Sequence, residues 1–312
     1  MAFLGLENLK SETGPLHLAI GIFDGVHLGH QAILKQVAQT ATKDGGKAIV
    51  LTFWPHPSHV LCPEKPVLML MGRGLRERFL RESGADSVVC IEFSPEFASM
   101  PAHAFPSFLK KALPSLKTIF VGDGFRFGRG REGDATLLSI EGAKIGLDVR
   151  PVFRVDMDDI PISSTRIREN VSAGEIAPAN LLLGRPYIAE GRIVPGDGLG
   201  TKIGVPTFNL DWSPELTPRL GVYAVRSVFP GFGSQSFTAV ANYGIRPTVE
   251  GECTEPRLEV HLLESPPPCP VEHMEVAFHE FIRPELKFDS LEALAKRIEK
   301  DVEIARKLLV DP

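Results

Sequence analysis

Gly21-Ile22-Phe23-Asp24-Gly25-Val26-His27-Leu28-Gly29-His30 decides the fold of the first half of the chain. The apolar run over residues 17–23 reads as a buried strand, and residues 29–43 have the spacing of a helix. A glycine-rich turn between the two is the entry of a βα unit. There the first backbone N–H groups of the helix lack partners and attract an anion without help from any side chain. His27 and His30, three apart at the start of the helix, can point at one phosphate. Gly29 between them has no side chain to keep a ligand off the backbone. The competing reading is a pair of polar residues that satisfy loop carbonyls.

Outward from this turn, Asp44-Gly45-Gly46 ends the helix and residues 47–53 form the next strand. Residues 75–82, 88–93, 102–113, 118–121, 136–145 and 149–153 continue the alternation, which predicts an α/β unit with a doubly wound parallel sheet. After Asn180 the texture changes. Residues 192–194, 222–228, 237–242, 257–263 and 274–281 are short strand-like segments between Gly- and Pro-rich turns, the pattern of an antiparallel barrel or sandwich. Leu291, Leu294, Ile298, Val302, Ala305 and Leu309 then recur at three and four, an amphipathic helix that packs on the sheet. The boundary falls near residues 173–184, giving units 1–180 and 181–312.

The 312 residues are about twice a usual single domain, in agreement with that division. Hydrophobic residues at 43% and charged residues at 23% are those of a folded globular chain, neither disordered nor fibrous. Acidic residues outnumber basic ones by 39 to 34, and a net charge of -5 gives no general attraction for nucleic acid, so any phosphate is bound locally. Apolar runs such as residues 67–71 fall far short of the roughly 20 residues that span a bilayer. The start of the chain lacks the pattern of a secretory signal. Cys62, Cys90, Cys253 and Cys269 are scattered without a C-x-x-C pair, as in a reducing compartment. The expectation is a cytoplasmic protein, a monomer or weak homo-oligomer, with no nucleic-acid or membrane partner.

Three further segments of the first half carry chemistry. Thr52-Phe53-Trp54-Pro55-His56-Pro57 follows a strand end, where ligands collect in open α/β sheets. In Val121-Gly122-Asp123-Gly124-Phe125-Arg126-Phe127-Gly128 two Phe alternate with Arg126, and they can stack on a planar ring or pack in the core. In Ile162-Ser163-Ser164-Thr165-Arg166-Ile167-Arg168 the hydroxyl residues are N-cap formers, and Arg168 lies four beyond Ser164 on the same face. With the H-x-G-H tetrad, these segments resemble the adenylyltransferase half of the bacterial bifunctional riboflavin kinase/FAD synthetase family. The resemblance implies that His27 and His30 contact the α-phosphate of ATP and Arg168 its β- and γ-phosphates. It places Gly21, Phe23, Asp24, Gly25, Gly29, Ser163, Ser164 and Thr165 around the nucleotide. Phe53, Pro55, His56, Asp123, Phe125 and Arg126 would border the flavin. Gly124 stands where the family usually has an acidic residue or Asn, and Trp54 where it has a polar or acidic one.

The second half contains Gly191-Arg192-Ile193-Val194-Pro195-Gly196-Asp197-Gly198 and Gly204-Val205-Pro206-Thr207-Phe208-Asn209-Leu210. Glycines this dense make hairpin turns or a flap over a phosphate. Gly-x-Pro-Thr-x-Asn is similar to the riboflavin kinase signature, which implies Mg²⁺ on Thr207 and Asn209, and Gly191, Gly196 and Gly204 near ATP. Asn242-Tyr243-Gly244-Ile245-Arg246-Pro247-Thr248 and Leu258-Glu259-Val260-His261-Leu262-Leu263 recur in family order. They imply Arg246 at the flavin and Glu259 as the base for its terminal hydroxyl; a plain exposed strand carboxylate is the alternative for Glu259. Ile282-Arg283-Pro284-Glu285-Leu286-Lys287-Phe288 resembles a further family segment, with Asp301 in the helix behind it. Thr201, Pro195 and Cys269-Pro270-Val271-Glu272 depart from the family pattern. The expected enzyme phosphorylates riboflavin to FMN and adenylylates FMN to FAD. A monofunctional FAD synthetase with a binding-only barrel and a non-catalytic flavin-binding regulator are the alternatives.

Overall fold

In the computed structural model, which describes residues 5–10, 14–196, 200, 204–233, 235–245, 256–267 and 271–310, the chain forms two compact units, Met1–Ser164 and Thr165–Pro312. Arg246, Cys253 and Cys269 lie outside the described residues.

The first unit runs β1 (Leu16–Ile20), α1 (Leu28–Asp44), β2 (Lys47–Trp54), α2 (Pro57–Leu61), α3 (Arg73–Glu82), β3 (Ser87–Glu92), α4 (Pro95–Ala98), α5 (Phe105–Ala112) and β4 (Leu116–Gly122). It continues through β5 (Arg126–Phe127), β6 (Gly133–Asp134), α6 (Ala135–Ala143), β7 (Asp148–Val152), β8 (Asp156–Met157) and β9 (Ile160–Pro161). Every residue of β1 is buried, as is nearly every residue of β2, because helices cover both faces of a parallel sheet. The sheet order is β3-β2-β1-β4-β7, with all neighbours parallel. Connections run one way from β1 through β2 to β3 and the other way from β1 through β4 to β7. The crevice at the carboxyl ends of β1 and β4 is therefore the switch point, where ligands bind in such sheets. The helix expected over residues 102–113 begins as a 3₁₀ turn, Ala102–Ala104, and becomes α-helical at Phe105. Pro106 in its first turn supplies no N–H and fits there. The strand expected to reach Phe153 stops at Val152, and Phe153 is 85% exposed.

The second unit comprises α7 (Ser164–Ala173), α8 (Ile176–Leu183), β10 (Tyr187–Val194), β11 (Phe208–Asp211), β12 (Gly221–Val228), β13 (Ser236–Gly244), β14 (Arg257–Leu262), β15 (His273–Arg283) and α9 (Leu291–Leu308). Its strands close a barrel in the order β10-β11-β14-β13-β12-β15. β10 starts five residues earlier than its polar alternation suggested, at the buried Tyr187. Aromatic rings fill the interior: Tyr223 and Tyr187 lie 5.1 and 5.8 Å from Phe278, and Trp212 lies 5.5 Å from Tyr243. On the outer face, Val222, Ala224 and Val240 pack against Ala305 and Leu309 at the end of the chain, which is why the terminal apolar stripe is needed.

One ion pair ties α9 to the barrel. Asp301, 1% exposed, accepts Nε–H and Nη2–H of Arg283 at 2.9 and 2.7 Å and Nε–H of Arg297 at 3.1 Å. Asp301→Ala would strand a buried guanidinium, and the expected loss is about 3–5 kcal/mol. In urea denaturation, an Arg283→Met/Asp301→Leu double variant should lose much less. Equal losses in the two variants would mean that the pair itself, not the stranded charge, carries the stability.

Candidate active sites

Beyond β1 the chain turns through conformations that side chains rarely adopt: Phe23 has φ 55°, Gly25 83° and Val26 39°. Several contacts hold this loop. Val26 N–H donates to Phe23 O (3.1 Å), and Gln31 Nε2 donates to Val26 O (2.9 Å). Asp24, 2% exposed, accepts Leu70 N–H on both carboxylate oxygens at 3.0 and 3.1 Å. Asp24 thus scaffolds the loop, and its carbonyl accepts Ser164 Oγ–H at 2.9 Å. Gly21 N–H is fixed to Leu51 O at 3.1 Å.

His27 caps α1, its Nδ1 accepting His30 N–H at 3.3 Å. That bond needs the lone pair on Nδ1, which leaves Nε2 to carry the hydrogen of the neutral ring. The two imidazoles stack with centroids 3.6 Å apart, and Phe23 meets His30 edge-on at 5.2 Å. The histidines therefore form one unit. A Cβ at Gly29 would lie 3.2 Å from His27 Cε1 and Nδ1, so the room expected there for a ligand is the room His27 occupies.

The other candidates among residues 1–180 divide by task. Phe53 and Phe127 are 7% and 8% exposed and belong to the core, Phe53 against Phe97 at 5.7 Å and Phe127 against Phe105 at 5.3 Å. Phe125 stacks on Phe127 at 5.4 Å and is only partly buried. His56 caps α2 by accepting Ser58 N–H at 3.1 Å, and Pro55 precedes it. Arg126 pairs with Asp134 at 3.4 Å, and Asp123 pairs with Arg154 at 3.0 Å. Ser163 directly precedes α7, Ser164 and Thr165 open it, and Arg168 follows one turn later.

In the barrel, strand register assembles the second group. Asn209 is opposite Glu259, Glu259 opposite Asn242, Asn242 opposite Val222, and Val222 opposite Arg283. Directly paired residues share a face, so this is one row across five strands. A cavity of about 280 Å³ lies over it, lined by Thr207, Asn242, Glu259, His261 and Arg283 among others. His261 Nδ1–H donates to Pro206 O at 2.9 Å and so fixes the backbone ahead of Thr207. Thr207 lines the cavity. Asn209, on the same face, is 7% exposed and borders a neighbouring recess with Val194 and Pro195. A Cβ at Gly196 would collide with the Asn209 amide, so that glycine closes over it. Gly204 is exposed at φ 77°. Gly191 is placed apart from the cavity, in a depression with Arg192, Asp211 and His273.

Two residues with a part in this geometry were missed among the candidates. Asn242 stands in a quoted segment, but only the register of β13 on β14 places it opposite Glu259. Arg76 is 0% exposed on α3, with Nη1 donating to Ile22 O at 3.1 Å and Nη2 reaching Phe53 O at 3.5 Å. No local pattern marks an arginine in an Arg-rich helix as buried.

Hydrogen-bond donors gathered at a switch point in one unit, and a carboxylate among neutral polar groups in the other, fit a two-unit transferase of phosphate chemistry. The family model for FAD synthetase matches residues 9–166, and that for riboflavin kinase matches residues 183–309. The bifunctional riboflavin kinase/FMN adenylyltransferase of Escherichia coli (strain K12) is 38% identical over 289 residues, 93% of this chain and 91% of that protein. The Pseudomonas fluorescens protein of the same name is 36% identical over 97% of this chain and 96% of its own. A crystal structure from Streptococcus pneumoniae, described as a macrolide-efflux protein, has a TM-score of 0.86 at 30% identity and covers 98% of both chains. That description is said of that protein; among the described residues here, no helix is long and apolar enough to cross a membrane. The chain belongs to the bifunctional riboflavin kinase/FMN adenylyltransferase family.

The stacked pair yields a first test of the site. Gly29→Ala pushes a methyl group against the His27 ring, and a displacement of this kind should lower kcat for FAD formation by about tenfold or more. An unchanged rate would show that the stack is not the working arrangement.

Proposed function

We propose that the family's two activities are divided along the chain, adenylylation of FMN to FAD falling to residues 1–180 and phosphorylation of riboflavin to residues 181–312. The observation that carries the first assignment is the stacked His27–His30 pair at the amino end of α1, beside the switch point. Ring N–H groups and helix amides there are donors for the α-phosphate of ATP as negative charge builds on it. The flavin phosphate attacks, a new P–O bond forms, and pyrophosphate leaves, with Ser163, Ser164, Thr165 and Arg168 as its holders. Gly21, Phe23, Asp24, Gly25 and Gly29 shape the nucleotide loop. Phe53, Pro55, His56, Asp123, Phe125 and Arg126 are assigned to the flavin side, Phe53 through the packing behind it.

In the barrel, Glu259 takes the proton of the terminal hydroxyl of riboflavin as that oxygen bonds to the γ-phosphorus and ADP departs. Thr207 Oγ1 and Asn209 Oδ1 suit Mg²⁺: they are hard oxygen donors on one strand face beside Glu259, and so small a set leaves places for water and phosphate oxygens. When bound, the ion neutralises triphosphate charge. Gly196 and Gly204 are assigned to the ATP flap, Gly191 to the strand behind it, and Arg246 to the flavin. A cytoplasmic monomer or weak homo-oligomer acting on small molecules, with no nucleic-acid or membrane partner, is consistent with the net charge of -5.

Chromatography of flavins over time, from riboflavin and Mg·ATP, tests the assignment. His30→Ala should stop FAD formation while FMN accumulates. Loss of both products in a folded variant would count against separate sites.

A Glu259→Gln variant keeps the shape of the side chain but cannot take up the proton, and FMN formation should slow by roughly a hundredfold or more. FAD formation from supplied FMN should continue. Normal FMN formation by this variant would reduce Glu259 to a strand residue and leave the barrel without its base.

A further inference from the structure

Gly124 directly follows the first residue past β4, in a turn closed by Phe125 N–H on Gly122 O at 2.9 Å. A Cβ built at Gly124 would lie 2.7 Å from Nη2 of Arg154 and 3.6 Å from its Cζ. The volume of the absent side chain is thus filled by a guanidinium from the segment that follows the neighbouring strand, since Arg154 comes two residues after the end of β7. Asp123 holds both partners in register. Its N–H donates to Val152 O at 3.1 Å, and its Oδ1 accepts Arg154 Nε–H at 3.0 Å.

Stability does not account for this arrangement. The side chains of Arg154 and Asp123 are 58% and 37% exposed, and a pair so open to water contributes little to folding. Recognition accounts for it better. The bond to Asp123 engages Nε, and the Nη edge of the planar fork remains suited to a phosphate, which a guanidinium grips through parallel N–H groups. The position suits it too. The carboxyl ends of β4 and β7 form one lip of the switch-point crevice, and the loop after β1 that carries His27 and His30 forms the other.

We propose that Arg154 is a substrate-binding residue of the adenylyl-transfer site, where its guanidinium receives the phosphate monoester of the flavin. The assignment rests on the adenylyltransferase reading of the first unit. On that reading, a phosphate dianion must approach the α-phosphate of ATP from the side opposite the leaving pyrophosphate. Two anions brought together need a cation beside the incoming one, and Gly124 makes room for it.

The test is initial-rate kinetics of FAD formation by the full chain, with FMN and ATP varied separately. Arg154→Ala should raise KM for FMN by about tenfold or more, with kcat and KM for ATP shifted by less than about threefold. Arg154→Lys, which restores a point charge without the fork, should recover part of the loss. Gly124→Asp keeps Arg154 but puts a carboxylate in the guanidinium's place, and should raise KM for FMN independently. Unchanged KM for FMN in both Arg154→Ala and Gly124→Asp would overturn the proposal. A rise confined to KM for ATP would also overturn it, placing the cation on the triphosphate. Failure of the unsubstituted chain to make FAD from FMN would overturn the adenylyltransferase reading, and the Arg154 assignment with it.

Discussion

Each strand of the barrel must bury one face before the other can carry chemistry, and this requirement positions the whole second site. Leu258, Val260 and Leu262 of β14 are 0%, 0% and 8% exposed, which forces Arg257, Glu259 and His261 to the outer face. Pairing on both sides then fixes which residues stand beside the carboxylate: Asn209 on one strand and Asn242 on the other. A slip of one residue would turn Glu259 into the aromatic interior, so the hydrophobic alternation specifies the register as strongly as it specifies the fold. The same outer face accepts the terminal helix farther round the barrel, where its residues are apolar. Glu259 therefore sits at the border between a face covered by helix and a face left for ligand.

The first unit uses a different device, because a parallel strand buried on both sides has no outer face to offer. Its reactive groups hang from the loops at the strand ends, and loops must be held. Asp24, Gln31, Ser164 and Arg76 each bind a backbone group of, or through, the segment between Gly21 and Val26. Positive φ at Phe23 and Val26 is affordable only because those contacts over-determine the path of the chain. Arg76 contributes a charge where no solvent reaches, and its hydrogen bonds to Ile22 O and Phe53 O couple the ends of β1 and β2. Residues assigned to substrate by motif alone thus include some, such as Asp24 and His56, whose polar atoms are engaged in building the loop.

Much of this was legible in the sequence, for reasons that differ between elements. The strand–turn–helix at Gly21–His30 shows because the period changes from strand to helix within ten residues, and the barrel strands show because apolar and polar residues alternate. The pairing of His27 with His30 was readable from spacing, but the use of Gly29 was not: a missing Cβ does not say whether ring or ligand fills its place. α8 carried no signal because its eight residues, IAPANLLL, are too apolar throughout to display a face. Asp301 was visible as a helix residue, yet its partner Arg283 lies 18 residues away on a strand, and only tertiary structure joins them. Arg154 was invisible for the same reason, since Gly124 and Arg154 meet across the β4–β7 pair.

The two sites also solve opposite electrostatic problems. On the proposed reading, the groups presented to a ligand at the end of β1 are donors: helix amides, imidazole N–H groups and the guanidinium of Arg154. Such a site stabilises phosphate charge directly. The barrel row presents one carboxylate, Glu259, beside the neutral polar groups of Thr207, Asn209 and Asn242, and the guanidinium of Arg283 nearby is matched by Asp301. On the proposed reading a triphosphate brought against that row meets the Glu259 carboxylate, and a cation placed between them relieves the repulsion. On the proposed reading the ion is therefore part of the complementarity between the barrel and its triphosphate, whereas the loop after β1 adds hydrogen-bond donors of its own.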